Sequence, residues 1–242
     1  MRHPIRSTAL VALLACTAAG ARLALAAPAA CNATSGITVP LVVELYTSEG
    51  CSSCPPADRW LSSLKDRPDV ISLAFHVDYW DRLGWKDRFA DAAFTQRQHE
   101  AGVRSGATFV YTPQVRVDGA DYRGWPALPR GARPASTVLL KLARDGDAYV
   151  AQVVRGPGAP ARLEGFWAVT EDGHVSRVQA GENSGATLRH DAVVRDYRKV
   201  ASIGEAPLRF EPRPSAELSA GRRVQFVVTD AATGRPVQAV GC

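Results

Sequence analysis

The stretch from Leu41 to Pro56, LVVELYTSEGCSSCPP, decides how the fold is read. Its first six residues form an apolar run broken only by Glu44, the pattern of a strand buried on both faces. Thr47-Ser48-Glu49-Gly50 reads as a turn. The turn delivers Cys51 and Cys54, two residues apart, and Pro55-Pro56 opens a helix. Working outward, residues 56–65 form an amphipathic helix with Trp60, Leu61 and Leu64 on one face. Residues 70–77, VISLAFHV, form a second apolar strand. Strand, helix and strand make a βαβ unit, in which a right-handed crossover is expected.

Size and composition fit one large or two small globular domains: 242 residues, 46% hydrophobic and 22% charged. The formal net charge of +5 overstates basicity. Arg2, Arg6 and Arg22 lie in a segment that reads as a signal peptide over residues 1–26, and without them the balance is +2. That segment has a basic start, an apolar stretch over residues 9–19 and a small-x-small site at Ala24-Leu25-Ala26. It is too short to span a membrane. The expectation is a periplasmic or secreted protein in an oxidising compartment, with no nucleic-acid partner. Leu13 to Cys16 and Ala29 to Cys31 match the lipid-attachment pattern poorly, so membrane association is expected only if the chain is lipidated.

Beyond the βαβ unit, residues 78–85 form an aromatic loop carrying Tyr79, Trp80 and Trp85. Residues 87–101 read as a helix, with Phe89, Ala93 and Phe94 on its apolar side. Gln114 to Gly119 reads as a strand entering a hairpin at Asp118-Gly119. Residues 134–144 read as a last helix, carrying Val138, Leu139 and Leu142. From Asp147 onward helical periods cease and short strands separated by Gly and Pro take over. The expected architecture is α/β: a thioredoxin-like domain over residues 37–146, then a small β-rich, sandwich-like domain over residues 147–242.

Two cysteines separated by two residues close a loop too small to constrain the unfolded chain much. The spacing suits redox chemistry, in which one thiol attacks a substrate disulfide and its neighbour resolves the mixed disulfide. A helix N-terminus favours the thiolate that attack requires. Structural zinc is not expected, because a closed site needs four ligands and there is no second CxxC. The metal alternative is Cu(I) on Cys51, Cys54 and His76, two soft thiolates and an imidazole. No cofactor is expected for the dithiol reading.

Tyr46-Thr47-x-x-Gly50-Cys51-x-x-Cys54 resembles the active-site start of glutaredoxins. Thr112-Pro113 before a strand resembles the cis-proline that faces the CxxC in thioredoxin-like folds. Four segments in order, VELYTSEGCSSCPPAD, FHVDYWDRLGWKD, VYTPQ and GENSGATLRH, resemble a family of secreted bacterial proteins of unknown function with a thioredoxin-like domain. The resemblance covers the chain from about Val42 to Val194. It implies Cys51 as nucleophile, Cys54 as resolving thiol, Pro113 as a substrate-facing proline and Thr112 as the residue whose backbone pairs with a bound peptide. The chain departs from thioredoxins in placing Ser52-Ser53, without a proline, between the cysteines. Pro55 and Pro56 leave Cys51 outside the helix, so a milder thiol pKa depression is expected than in a strong oxidase.

Glu44 has two readings, a proton shuttle for the dithiol or a carboxylate paired with an arginine. His76, which shares a strand face with Asp78, is either an acid–base group near the cysteines or a hydrogen-bonded core residue. Cys31 and Cys242 are left over once Cys51 pairs with Cys54, and a structural bridge between them is expected, free or intermolecular thiols being the alternative. Asn183, in Gly181-Glu182-Asn183-Ser184-Gly185, reads as part of a turn. Two functions follow: a thiol–disulfide oxidoreductase acting on protein or peptide thiols and disulfides, or a binding module that docks a partner or holds copper.

Overall fold

A computed structural model describes residues 31–215 and 220–242. The expected signal peptide, residues 1–26, lies outside them. In chain order the strands and helices are β1 (Asn32–Thr34), β2 (Leu41–Thr47), α1 (Pro55–Ser62), β3 (Val70–His76), α2 (Ala92–Arg104), β4 (Gln114–Val117), β5 (Ala120–Asp121), β6 (Val138–Asp145), β7 (Ala148–Arg155), β8 (Leu163–Asp172), β9 (His174–Arg177), β10 (Thr187–His190), β11 (Val193–Val200), β12 (Leu208–Phe210), β13 (Ala220–Asp230) and β14 (Pro236–Gly241). A short 3-10 turn spans Asp81–Leu83.

Eight strands form one mixed sheet in the order β14-β13-β8-β11-β3-β2-β4-β5. β2 and β3 run parallel over seven pairs, Leu41↔Val70 to Thr47↔His76. A second sheet has the order β1-β6-β7-β12, and β9 pairs with β10 as a hairpin. Alternation along each strand sends side chains to opposite faces. On β2, Val42 and Tyr46 join Phe75, Phe94, Phe166 and Val227 in a core under α2. Val43 and Leu45 face the other way and pack with Ala57, Trp60 and Leu61 of α1. Farther along the sheet, Trp167 and Phe226 meet Leu140, Leu142 and Phe210 of the smaller sheet.

The expected α/β class, a thioredoxin-like domain followed by a β-rich one, is wrong for this chain, which is mainly β: an eight-stranded sheet, a four-stranded sheet and a hairpin stand against helices of 8 and 13 residues among the described residues. The sheet begun by β2 and β3 does not end with a small α/β unit. β11 adds beside β3, parallel at Val193↔Ala74, and β8, β13 and β14 extend it. Residues 31–242 are accordingly one compact unit, and the core under α2 takes residues from both halves of the chain. The boundary placed at residue 147 falls inside the β6–β7 hairpin, where Asp145 pairs with Ala148 and Gly146 takes the left-handed φ of +63° that the turn requires. The helix expected over residues 134–144 is β6. Its burial has period two, with Val138, Leu140 and Leu142 turned inward, and Leu139 is left 37% exposed.

Candidate functional site

β2 and β3 end side by side, and the functional groups gather beyond their carboxyl ends. From Thr47 the chain turns sharply, with Cys51 N–H donating to the Ser48 carbonyl (3.2 Å). Gly50 fits closely there, since a Cβ would lie 3.1 Å from the Trp80 Cβ. Cys54 caps α1, its carbonyl accepting from Ala57 N–H (2.9 Å) and Asp58 N–H (3.1 Å). Pro55 and Pro56 remove two of the N–H groups a helix start would otherwise present. Cys51 and Cys54 are joined in a disulfide with their Cα atoms 5.4 Å apart, and both are fully buried.

Thr112-Pro113 is a cis peptide. Because Tyr46 pairs with Gln114, Pro113 reaches the sheet end from which the CxxC turn departs. Trp80, already against Gly50, donates its indole N–H to Thr112 Oγ1 (2.8 Å) and so joins the two segments. A third segment closes over the turn. Asn183 Nδ2 donates to the carbonyls of Glu49 and Cys51, each at 2.9 Å. Glu182 Oε2 accepts from Ser52 N–H (3.0 Å) and Ser52 Oγ (2.8 Å). Sequence reading left Asn183 as a plain turn residue. The signal available was the resemblance of GENSGATLRH, whose role becomes visible only when β9 and β10 bring it to the cysteines.

Beneath the CxxC turn lies a buried polar cluster drawn from five segments. His76 Nδ1 contacts Asp87 Oδ2 at 2.7 Å. Asp87 also accepts from the backbone N–H groups of Glu49 and Phe89, each at 2.9 Å. Burial pushes the Asp87 carboxyl up, but His76 and these donors outweigh it and hold the pKa at about 2. Asp58 Oδ2 accepts from Thr47 Oγ1 (2.9 Å), and Glu49 Oε2 accepts from Trp85 Nε1 (2.7 Å). His190 stands between the two carboxylates, with Nε2 3.4 Å from Glu49 Oε1 and Nδ1 3.9 Å from Asp58 Oδ1. Both are ion-pair separations without hydrogen-bond geometry. Burial disfavours the imidazolium, yet Asp58 and Glu49 outweigh it and raise the His190 pKa to about 9. Burial likewise opposes the Glu49 carboxylate, while His190 draws its pKa below the ordinary value.

The expected site residues fall into separate places. Cys51, Cys54, Thr112 and Pro113 share one end of the sheet. His76 is fully buried and converges with Asp58 and His190, while both cysteines are engaged with each other. Asp78 is apart, its Oδ1 accepting from Thr95 Oγ1 (2.6 Å). Glu44 points to the α2 face, where Oε1 accepts from Arg97 Nη2 (2.5 Å) and Oε2 from the Tyr46 hydroxyl (3.2 Å). It is the arginine-paired reading of Glu44 that the geometry fits. Cys31 and Cys242 are bridged, 211 residues apart in sequence.

The Asn183 clamp gives an expected result. A buried disulfide is reduced through local opening, and two neutral hydrogen bonds contribute about 2 kcal/mol at roughly 1 kcal/mol each. Asn183→Ala should therefore speed reduction of Cys51–Cys54 by a phosphine about tenfold or more, followed by quenched alkylation. An unchanged rate would remove the loop from the opening step.

Solved structures with the same fold include a structural-genomics target from Agrobacterium tumefaciens, 24% identical, with a TM-score of 0.61 over 84% of this chain and 94% of that one. HBP35 of Porphyromonas gingivalis is 14% identical, with a TM-score of 0.53 over 86% of this chain and 76% of that one. At these identities the likeness concerns the fold alone. No curated protein matches the chain significantly. One sequence family spans residues 42–229.

Proposed function

The chain belongs to that family, described as protein of unknown function (DUF1223), and from its site we propose that it is an exported thiol–disulfide oxidoreductase acting on protein or peptide thiols. The observation that carries this reading is the Cys51–Cys54 bridge at the start of α1. Its partners are three residues apart, in a unit whose ends are already tied by Cys31–Cys242. Such a bridge adds little constraint to the unfolded chain, so its use lies in opening and closing. The cis Thr112-Pro113 peptide at the same sheet end and the half-buried Tyr79, Trp80 and Trp85 beside it supply a surface for a peptide. Two closed disulfides suit an oxidising compartment outside the cytosol.

In the oxidising direction a substrate thiolate attacks Cys51 Sγ. The Cys51–Cys54 bond breaks, a mixed disulfide forms and Cys54 leaves as a thiolate that takes up a proton. The second substrate thiolate then attacks the substrate sulfur of the mixed disulfide and releases Cys51, which is protonated in turn. The substrate loses two electrons and two protons and the protein gains both. Reduction of a substrate disulfide is the same path reversed. Because both cysteines are buried in the closed form, the CxxC turn must open locally before the first attack.

A glutathione redox titration read by thiol alkylation and peptide mass mapping tests the reading. The expected result is that Cys51–Cys54 titrates at roughly −120 to −270 mV, the span of dithiol oxidoreductases, while Cys31–Cys242 stays closed. A Cys51–Cys54 bridge that opens only when the protein unfolds would overturn it.

A further inference from the structure

The buried cluster under the CxxC turn has a pattern that dithiol chemistry does not use. Several buried side-chain atoms in it make no hydrogen bond. His76 holds Asp87 through Nδ1, leaving a fully buried Nε2 without a hydrogen bond. Asp58 is held by Thr47 through Oδ2, leaving Oδ1. Both ring nitrogens of His190 and Glu49 Oε1 are buried and unbonded as well. Unmade hydrogen bonds of buried groups are costly, at about 1–3 kcal/mol each. Four such atoms in one cluster call for an occupant. Ligand atoms of Asp58, His76 and His190 lie within 4.8 Å of one another, so contraction of up to about 1.5 Å brings them to the roughly 3.4 Å spacing of tetrahedral zinc ligands.

We propose that Asp58, His76 and His190 form a binding site for a divalent first-row transition ion, with zinc as its best-matched occupant. Two imidazoles and a carboxylate are a borderline-soft donor set of the kind zinc takes with an open fourth position. His76 binds through Nε2, the nitrogen Asp87 does not hold. His190 binds through Nδ1, the nitrogen facing Asp58, and its Nε2 then faces Glu49. Each histidine is thereby backed by a carboxylate, Asp87 behind His76 and Glu49 behind His190, the outer arrangement that fixes tautomer and ring orientation in metal centres. Charge agrees. The cluster buries Asp58, Glu49 and Asp87, and a divalent cation offsets carboxylates that a low-dielectric interior otherwise disfavours. No step of the dithiol reaction depends on this site, and neither proposal needs the other.

The test starts from oxidised protein unfolded in chelator, dialysed free of metal and refolded with and without zinc sulfate. The expected results are one zinc per chain by mass spectrometry, a melting temperature that rises with zinc concentration and, with cobalt(II) in place of zinc, the visible absorption of a four-coordinate nitrogen–oxygen site. Asp87→Asn should weaken zinc about 10- to 100-fold, and Asp58→Asn should abolish stoichiometric binding with the circular dichroism spectrum kept. The Cys51→Ser/Cys54→Ser variant should bind as the parent does. Fewer than one zinc in ten chains and no cobalt spectrum for the parent protein would overturn the proposal. So would binding that survives Asp58→Asn or is lost with the two cysteines. Because the parent protein and the cysteine variant decide the matter, the test stands even if Asp58→Asn fails to fold.

Discussion

Replacing both Cys31 and Cys242 by alanine is expected to cost about 4–5 kcal/mol of stability, read by urea unfolding, with a steeper slope as the uncrosslinked unfolded chain exposes more surface. The bridge spans 211 residues. Without it the unfolded chain recovers nearly all its freedom, and the loop-entropy relation gives about 5 kcal/mol for a loop of this size. The bridge also sits in apolar surroundings. Cys31 is buried in the core containing Leu140, Leu142 and Phe226, with Cys242 packed against it. Alanine adds a small cavity to the entropic loss. The short Cys51–Cys54 loop has no comparable effect to lose, so its alanine pair should cost far less. A loss below about 1 kcal/mol for the Cys31/Cys242 pair would mean that the ends are held by strand pairing alone.

Arg97→Met should be the most damaging single substitution outside the apolar cores, with an expected loss of about 3–5 kcal/mol. Arg97 rises from α2 to Glu44 (2.5 Å) and donates to the Tyr197 hydroxyl (2.9 Å). Its guanidinium lies 4.2 Å from the Phe166 ring centre and 4.9 Å from that of Phe75. Burial opposes its charge, but Glu44 leads the contacts that outweigh it and drive its pKa well above the ordinary arginine value. Methionine keeps the apolar stem and removes the charge, stranding a Glu44 side chain that is 7% exposed. The loss comes mainly from that stranded anion, so adding Glu44→Gln should restore a substantial part of it. The double variant measured by urea unfolding decides this. If it is no more stable than Arg97→Met alone, packing rather than charge holds α2 to the sheet. Glu44→Gln should also leave the rate of Cys51–Cys54 reduction unchanged, because Glu44 faces α2 and the cysteines precede α1.

The strand–CxxC–helix unit was legible because its signals are local. A six-residue apolar run broken only by Glu44, two prolines and a helical face of Trp60, Leu61 and Leu64 leave little choice of structure. Residues 138–144 were misread because VLLKLAR satisfies two periods at once. Leu139 and Leu142 with Val138 suit a helix, while Val138, Leu140 and Leu142 suit a strand, and pairing with β7 selects the strand. The extent of the sheet was hidden for another reason. β11 joins β3 across more than a hundred residues, at Val193↔Ala74, and no local pattern announces so distant a neighbour. Glu49, Asp58 and His190 are each ordinary in sequence, as a turn glutamate, a first-turn aspartate and a strand-end histidine. They become a site only because three separate segments stop at the same edge of the sheet.

The two bridges are nested in the order 31, 51, 54, 242, and under the proposed export that order has a cost during biogenesis. A chain crossing a membrane from its amino end presents Cys31, Cys51 and Cys54 long before Cys242. An oxidant that joins cysteines as they emerge can spend Cys31 on the wrong partner. Ring size works against this error, because closing the four-residue 51–54 ring is entropically far easier than closing the twenty-one-residue 31–51 ring. Early closure of the 51–54 pair thus protects the amino-terminal cysteine for a partner that arrives last. A chain with only Cys51 replaced lacks this protection and is expected to accumulate Cys31–Cys54 isomers when secreted, visible as mixed species on non-reducing gels.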